Sequence, residues 1–242
     1  MIALIDGDIL VYTVAYQVEQ PIDWGDDMWT LHADLREAKQ RLDLELIEFK
    51  ALLRARSVRV ALSDSTERNF RKKLWPEYKS NRTQRKPVVY AALRQYVKEV
   101  WKAVIKPGIE ADDLLGIWST EKPGKTVIVS ADKDLRTVPG LIYSPSKHDL
   151  GILEITKEEA DRNHLIQTLT GDRTDGYPGC PGIGEKRAEA IADGGWPAVV
   201  EAYEKAGFGQ DYALTQARCA YILRHGDYKR NKARLWTPSV NS

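Results

Sequence analysis

Four short apolar runs, each followed closely by an acid, constrain the fold of this chain more than any other feature of its sequence. Runs of this length that stop at polar turn residues are typical of buried strands. Amphipathic helical patterns separate them, and strands that alternate with helices predict an α/β fold with a mostly parallel sheet flanked by helices. The runs occupy residues 2–5, 58–62, 103–106 and 126–130, and the first acids after them are Asp6, Asp64, Glu110 and Asp132.

The chain divides by pattern into two regions. Residues 1–155 carry the strands and are predicted to form the α/β core, in which residues 17–30 are expected to be an irregular surface loop. Residues 156–242 show only helical patterns and end in a basic tail.

Acids gather where the strand ends of a parallel sheet would meet. In open parallel sheets the carboxyl ends of the strands share one edge, and ligands bind there. A further acidic segment, Glu110-Ala111-Asp112-Asp113, follows the third run, and a last pair stands in the loop 171–176. The sequence therefore predicts one pocket lined by Asp6, Asp64, Glu110, Asp112, Asp113, Asp132, Asp134, Asp172 and Asp175.

So many carboxylates predict bound metal. Two like charges about 4 Å apart cost roughly 4 kcal/mol at an effective dielectric constant near 20. Oxygen ligands without nitrogen or sulfur favour hard cations, so Mg²⁺ or Mn²⁺ is expected. Two such ions beside a basic segment suit phosphodiester hydrolysis. The alternative for each acid is a helix cap or a turn, and for 110–113 alone that alternative is equally good.

Two further segments predict contacts with nucleic acid. The stretch 67–86 is strongly basic and has aromatic residues between its charges, a composition that suits single strands or ends but is also common in solvated loops. Gly182-Ile183-Gly184 stands just before a basic helix, where glycines and helix N–H groups let a phosphate approach closely. The overall charge is only +1, so any binding surface must be local.

Composition excludes several classes of protein. Cys180 and Cys219 match no zinc spacing or disulfide framework, which indicates a reducing compartment. No apolar run approaches the ~20 residues of a membrane span. We therefore expect a cytoplasmic protein with no membrane partner.

The ordered set of motifs resembles the 5′-nuclease superfamily of flap endonucleases and 5′→3′ exonucleases, especially the replicative exonucleases of short-tailed phages. The resemblance extends over almost the whole chain. Its motifs are Ile5-Asp6-Gly7-Asp8, Tyr78-Lys79-Ser80-Asn81-Arg82, Glu110-Ala111-Asp112-Asp113, Ser130-Ala131-Asp132-Lys133-Asp134, 171–176 and the turn at 182–184.

The resemblance implies a PIN-like core and a role for each motif. Asp6, Asp64, Glu110, Asp112 and Asp113 would hold one metal ion, and Asp132, Asp134, Asp172 and Asp175 the second. Residues 67–87 would form an arch over the site, from which Lys79 and Arg82 act on the scissile phosphate. A helix–three-turn–helix at about 172–193 would grip duplex DNA and hold a K⁺ ion. The implied DNA-binding residues are Arg71, Tyr78, Lys79, Arg82, Gly179, Gly182, Gly184 and Lys186.

The resemblance thus implies a metal-dependent 5′→3′ exonuclease or structure-specific 5′ nuclease. It would act near 5′ ends, flaps or nicks of duplex DNA, leave 5′-phosphates, and remove RNA primers from RNA:DNA hybrids beside phage replication proteins in an infected bacterium. Two alternatives stay open at this point. One is a PIN-type ribonuclease, which also uses acids at strand ends. The other is a DNA-binding protein without catalysis.

Overall fold

A five-stranded sheet forms the centre of the computed structural model, which describes residues 1–238. The sheet order is β4-β1-β5-β6-β7, and all neighbours are parallel except the last pair, which is antiparallel. Two separate hairpins complete the strands. The strands are β1 (Ile2–Asp6), β2 (Gln20–Asp23), β3 (Trp29–His32), β4 (Ser57–Ala61), β5 (Thr126–Val129), β6 (Gly140–Tyr143), β7 (Ile152–Ile155), β8 (Tyr228–Lys229) and β9 (Lys232–Ala233).

Helices connect the strands and make up most of the C-terminal third of the chain. They are α1 (Gly7–Gln17), α2 (Leu35–Leu52), α3 (Phe70–Leu74), α4 (Tyr90–Val100), α5 (Ala111–Glu121), α6 (Lys157–Thr170), α7 (Glu185–Ala192), α8 (Gly195–Lys205) and α9 (Gln210–Ala220). No helix in residues 1–238 is long and apolar enough to cross a bilayer.

The sheet is buried on both faces, as the continuous apolar strands predict. Because side chains alternate along a strand, Ala3 and Ile5 of β1 pack on one side with α1, α2 and α4, whereas Leu4 packs on the other side with α5. A separate core joins α6 to α9 around Trp196 and Tyr203. The predicted mostly parallel α/β fold is therefore confirmed, and the last four residues of the predicted helical region lie outside the described part.

Two segments differ from the prediction. Residues 17–30 are not an irregular loop, because β2 and β3 pair there around a turn at Gly25 to Asp27. Neither strand has a buried face, so the sequence of this hairpin shows no alternation of apolar and polar residues that would predict strands. Residues 103–106 form only a single parallel bridge, between Val104 and Ala61. Pro107 follows three residues later, and strands rarely continue into proline because it has no N–H to donate.

Candidate active site

The carboxyl ends of β4, β1 and β5 open into one large cavity of about 1270 Å³. These three strands are neighbours, so the acids that follow them are brought to the same edge, as predicted. The carboxylates that line the cavity are Asp6, Asp8, Asp64, Glu110, Asp112, Asp132, Asp134 and Asp175.

Asp6 ends β1 and also caps α1. Its Oδ1 accepts a hydrogen bond from the Ile9 N–H (3.1 Å), and its Oδ2 accepts one from the Ser130 hydroxyl (2.8 Å). Gly7 makes this turn possible, because a Cβ there would lie 2.5 Å from the Ala61 carbonyl oxygen. Burial, with repulsion from Asp8, raises the pKa of Asp6 to about 7.

Asp8 lines the cavity as well, although only its turn position was noticed in the sequence. Its carboxylate accepts a hydrogen bond from the Ser63 N–H (2.8 Å) and lies 3.8 Å from Arg94. The signal that could have found it is its place two residues after a strand-end acid, in the first turn of α1. Arg94 was also missed, since it lies on α4 outside any acidic or basic cluster of the sequence.

The acids at 110–113 divide between two roles. Glu110 caps α5 in a reciprocal capping box with Asp113, so the capping interpretation is correct for these two residues. Asp112 has no place in the cap and lines the cavity. Burial, with repulsion from Asp6 and Asp132, raises the pKa of Asp112 well above its usual range.

Asp113 does not reach the cavity, so the structure does not support it as a metal ligand. It is fully buried, and its two oxygens accept hydrogen bonds from Arg71 (2.8 Å each) and from the N–H groups of Glu110 and Leu223. Four donors leave it no free oxygen lone pair directed at a metal. Its role is to hold α5 to the end of the helical region.

Asp132 and Asp134 follow β5 and face each other across a short turn. Asp132 Oδ1 accepts a hydrogen bond from the Asp134 N–H (2.8 Å). Burial, with repulsion from Asp132 and Asp172, raises the pKa of Asp134 to about 7. Burial, with repulsion from Asp175 and Asp172, also raises the pKa of Asp132.

The loop after α6 brings in the last predicted acids. Asp172 pairs with Tyr177 across an antiparallel bridge, and its Oδ1 accepts hydrogen bonds from the N–H groups of Thr174 (2.6 Å) and Asp175 (3.1 Å). This turn aims Asp175 into the cavity, while Asp172 lies just behind it. The carboxylates that line the cavity are called the row below, and Asp64 lies at its opposite end from Asp175. Asp64 accepts hydrogen bonds from the Gly108 N–H (2.9 Å) and from Arg68 (2.5 Å).

Two cations of the basic segment lie among these acids. The ammonium of Lys79 is buried between Glu110, with which it hydrogen-bonds, and Asp175, which is 3.4 Å away. Arg82 pairs with the other oxygen of Asp175 at 2.5 Å. Burial alone would raise the pKa of Glu110, but Lys79 and Arg71 lower it to about 2.

Tyr78 is placed differently from the prediction that it binds DNA. Only 1% of it is exposed, so its ring cannot stack on a base. The ring packs beside Tyr177, and the hydroxyl lies 2.8 Å from both Glu110 Oε2 and Asp175 Oδ2. Tyr78 therefore joins two carboxylates of the site through its buried hydroxyl.

Arg71 is likewise no surface contact for DNA. It is 2% exposed, and its guanidinium donates to Asp113 and to the carbonyl oxygens of Cys219 and Tyr221. The basic segment thus includes a core residue that its local sequence does not distinguish from the exposed ones around it.

The rest of the basic segment runs along the cavity and is fastened at both ends. At one end the Lys79 N–H donates to the Asp175 carbonyl oxygen (2.7 Å) and the Asn81 amide donates to that of Arg173 (2.6 Å). At the other end Arg85 pairs with Glu19 at the end of α1. Residues 79–86 therefore form a strap, the name used below, along the side of the carboxylates.

The glycines before α7 also separate by role. Gly179 is buried against the backbone of Gly171, where a Cβ would lie 2.3 Å from the Gly171 nitrogen, so it serves packing rather than DNA contact. Gly182 and Gly184 are exposed with open space around them, and Lys186 and Arg187 follow on an exposed face. This turn keeps the accessibility that the predicted phosphate contact requires.

The donor set fits a divalent cation in its chemistry. Within residues 1–238, Asp6, Asp112, Asp132 and Asp134 make no ion pair, and burial together with repulsion from neighbouring acids raises the pKa of each. No three His, Cys, Asp or Glu side chains in those residues are spaced as the coordination shell of one ion. The strap cations Lys79 and Arg82 pair with Glu110 and Asp175.

Sequence comparison places the first 141 residues in one family. They match the model described as "5′-3′ exonuclease, N-terminal resolvase-like domain". The chain is 29% identical to an exodeoxyribonuclease of Enterobacteria phage T3 and 28% identical to an exonuclease of Escherichia phage T7. Each match covers 98% of this chain and 93% of the relative.

Structure comparison agrees with the fold. The chain superposes with a TM-score of 0.62 on the flap endonuclease of bacteriophage T5, solved with DNA and metal ions, at 15% identity. The match covers 89% of this chain and 87% of that one. At this identity the likeness is one of fold.

Proposed function

The chain belongs to the 5′-3′ exonuclease family defined by the resolvase-like N-terminal domain, and from that membership we propose a metal-dependent nuclease that hydrolyses phosphodiesters near the 5′ ends of duplex DNA. The observation that carries the proposal is the row of unpaired, crowded carboxylates beside the strap cations. The proposed products carry 5′-phosphates, and the proposed substrates include flaps, nicks and RNA primers paired with DNA. The proposed setting is the cytoplasm of an infected bacterium.

Two Mg²⁺ or Mn²⁺ ions are proposed as cofactors, held by Asp6, Asp112, Asp132 and Asp134 with help from Asp64, Glu110, Asp172 and Asp175. When bound, they would supply Lewis acidity and neutralise the carboxylates. A K⁺ ion at the turn before α7 stays a prediction.

The chain's own side chains supply the rest of the chemistry. Arg82 is half-exposed, so its guanidinium can turn from Asp175 to a phosphate at the cavity entrance. The buried Lys79 is held where charge builds up on the phosphate in the transition state, and preorganised cations of this kind stabilise such charge most. Tyr78 keeps the carboxylates of Glu110 and Asp175 in place.

The test compares duplexes labelled at the 5′ or the 3′ end, incubated with Mg²⁺ and then with EDTA. Loss of label from 5′ ends that requires the metal supports the proposal. The Asp132→Asn variant should stop cleavage but keep DNA binding, and the Asp149→Asn variant, changed at an exposed acid that does not line the cavity, should behave as wild type. Full activity of Asp132→Asn would refute the site assignment.

The same assay separates the alternatives. Cleavage of single-stranded RNA alone would indicate the PIN-type ribonuclease, and binding without any cleavage would indicate a non-catalytic DNA-binding protein. Flap, nicked, blunt and RNA-primed duplexes tested in parallel would show which substrate the enzyme prefers. Family membership favours the nuclease over both alternatives.

A further inference from the structure

We propose that the β8–β9 hairpin is a second phosphate-binding surface, which holds DNA on the Asp64 side of the carboxylate row. The inference rests on the proposed nuclease function and extends it by naming where the substrate continues beyond the cut. The hairpin exposes three cations, Lys229, Arg230 and Lys232, which the proposed catalysis does not use.

The hairpin is rigidly built. Its two turn residues, Arg230 and Asn231, both have left-handed backbones (φ 51° and 60°), which match the twist of a two-residue hairpin and which Asn adopts readily. Tyr228 and Ala233 pack against the core beneath α5, and the Tyr228 hydroxyl donates to the Pro107 carbonyl oxygen (2.8 Å). The fold therefore holds the backbone that carries the cations in one place.

A short series of contacts links the hairpin to the cavity. Tyr228 binds Pro107, and the next residue, Gly108, donates its N–H to Asp64 (2.9 Å). Arg68, which also lines the cavity, pairs with the other oxygen of Asp64. These contacts place the hairpin on the Asp64 side of the cavity.

The charge of the hairpin is not neutralised within the protein. In residues 1–238, none of its three exposed cations lies within 4.0 Å of a carboxylate. Lys106, just before Pro107, is exposed as well. A fixed group of unpaired Lys and Arg side chains suits a phosphate backbone, which carries regularly spaced negative charge.

The position of the hairpin indicates the form of the substrate. Asp64 follows the edge strand β4, whereas Asp132 follows β5, two strands away, and the turn before α7 continues from the loop of Asp172 beyond it. The loop of Asp172 and Asp175, which leads along the chain to the turn before α7, and the hairpin thus lie at opposite ends of the carboxylates. A backbone held by the turn and the hairpin has nucleotides on both sides of the cleaved bond, as in a flap or a nick.

The test uses a triple variant, Lys229→Gln with Arg230→Gln and Lys232→Gln, in the Asp132→Asn background so that DNA stays intact. Binding to a labelled flap duplex is measured by fluorescence anisotropy over a range of KCl concentrations. Three lost phosphate contacts should reduce the slope of log K against log salt by about 2 to 3 and weaken binding at least about tenfold. For a duplex that ends at the cleavage site, the triple variant should lose much less binding affinity.

Two controls make the result decisive. The triple change Arg56→Gln, Lys122→Gln and Lys125→Gln removes the same charge from exposed residues at the amino-terminal edge of the sheet and should leave the slope unchanged. Exchanging Lys for Arg and Arg for Lys at the three hairpin positions should preserve binding.

Three outcomes would overturn the proposal: an unchanged slope in the hairpin variant, an equal loss in the amino-edge control, or an equal loss after the exchange of Lys and Arg. A different result would refute the proposed function itself: the Asp132→Asn protein with an unchanged hairpin fails to bind any duplex that has a 5′ end. The two failures are therefore distinguishable.

Discussion

The guanidinium of Arg71 forms two parallel hydrogen bonds with the carboxylate of Asp113, each 2.8 Å long, and both side chains are buried. This pair joins the basic segment to the first turn of α5. It fixes the start of the helix from which Asp112 projects into the cavity. Core and site are thus connected through this ion pair.

Removing one partner should destabilise the fold strongly. We expect Asp113→Asn to lower the free energy of unfolding by about 3 to 5 kcal/mol, because the buried Arg71 loses its nearest counter-charge and keeps only the more distant Glu110, 3.6 Å away. Urea denaturation in EDTA measures the change. Glu37→Gln, which breaks the exposed pair with Arg41, should change the stability by less than about 1 kcal/mol. A small effect at Asp113 would contradict the structural role.

Tyr78→Phe separates a support role from base stacking. The ring is retained, so stacking would be unaffected, but the hydroxyl that contacts Glu110 and Asp175 is lost. Hydrogen bonds to charged groups contribute about 1.5 to 3 kcal/mol, so we expect cleavage to slow at least about tenfold with unchanged DNA affinity. Wild-type cleavage rates in Tyr78→Phe would count against this role.

Lys79→Met should make stability depend on divalent ions. Without the ammonium, Glu110 and Asp175 repel each other in a buried place, so the melting temperature should fall in EDTA. Added Mg²⁺ should raise the melting temperature of the variant by more than it raises that of the wild-type protein, because the ion can replace the lost charge. The exposed Lys73, changed to Met, is the matched control. Equal melting shifts in both variants would refute the prediction.

His164 should reduce stability below neutral pH, an effect opposite in sign to that of Asp6 and Asp134, whose raised pKa values favour the folded state in acid. Burial lowers the pKa of this histidine to about 4, and its Nε2 donates to the Ala217 carbonyl oxygen (2.8 Å). The unfolded chain, with a pKa near 6.5, binds a proton first, so acid favours unfolding. Between pH 7 and pH 5 the loss attributable to His164 should be about 2 kcal/mol.

The control for this pH effect is His164→Gln, in which the amide can still donate to Ala217. Denaturation curves at pH 7 and pH 5 should show a change in stability that is about 2 kcal/mol less destabilising for the variant than for the wild-type protein. An equal change in both proteins would show that His164 makes no contribution.

Much of the site could be predicted from sequence because strand ends in a parallel sheet share an edge. Asp6 and Asp132 follow clear apolar runs, so sheet topology alone brings them together. Residues whose role depends on distant partners were harder. Arg71 looks like its exposed neighbours, and only the contact with Asp113, 42 residues later, shows that it belongs to the core.

Fold elements without a buried face were also missed. The β2–β3 hairpin carries no apolar alternation because both sides of it are largely exposed. Asp8 was passed over because it lies within a polar turn, where Asp is ordinary. In each case the local sequence was consistent with a simpler interpretation, and the decisive information was a contact across the chain.

Gly7, which has no functional group, limits how this site can change in evolution. A Cβ at position 7 would meet the Ala61 carbonyl oxygen at 2.5 Å and Val60 at 2.7 Å, so even alanine would push α1 away from β4. That shift would displace both Asp6 and Asp8 from their positions in the cavity. A substitution at Gly7 should therefore inactivate the enzyme as readily as a substitution at Asp6 or Asp8, although Gly7 itself carries no chemistry.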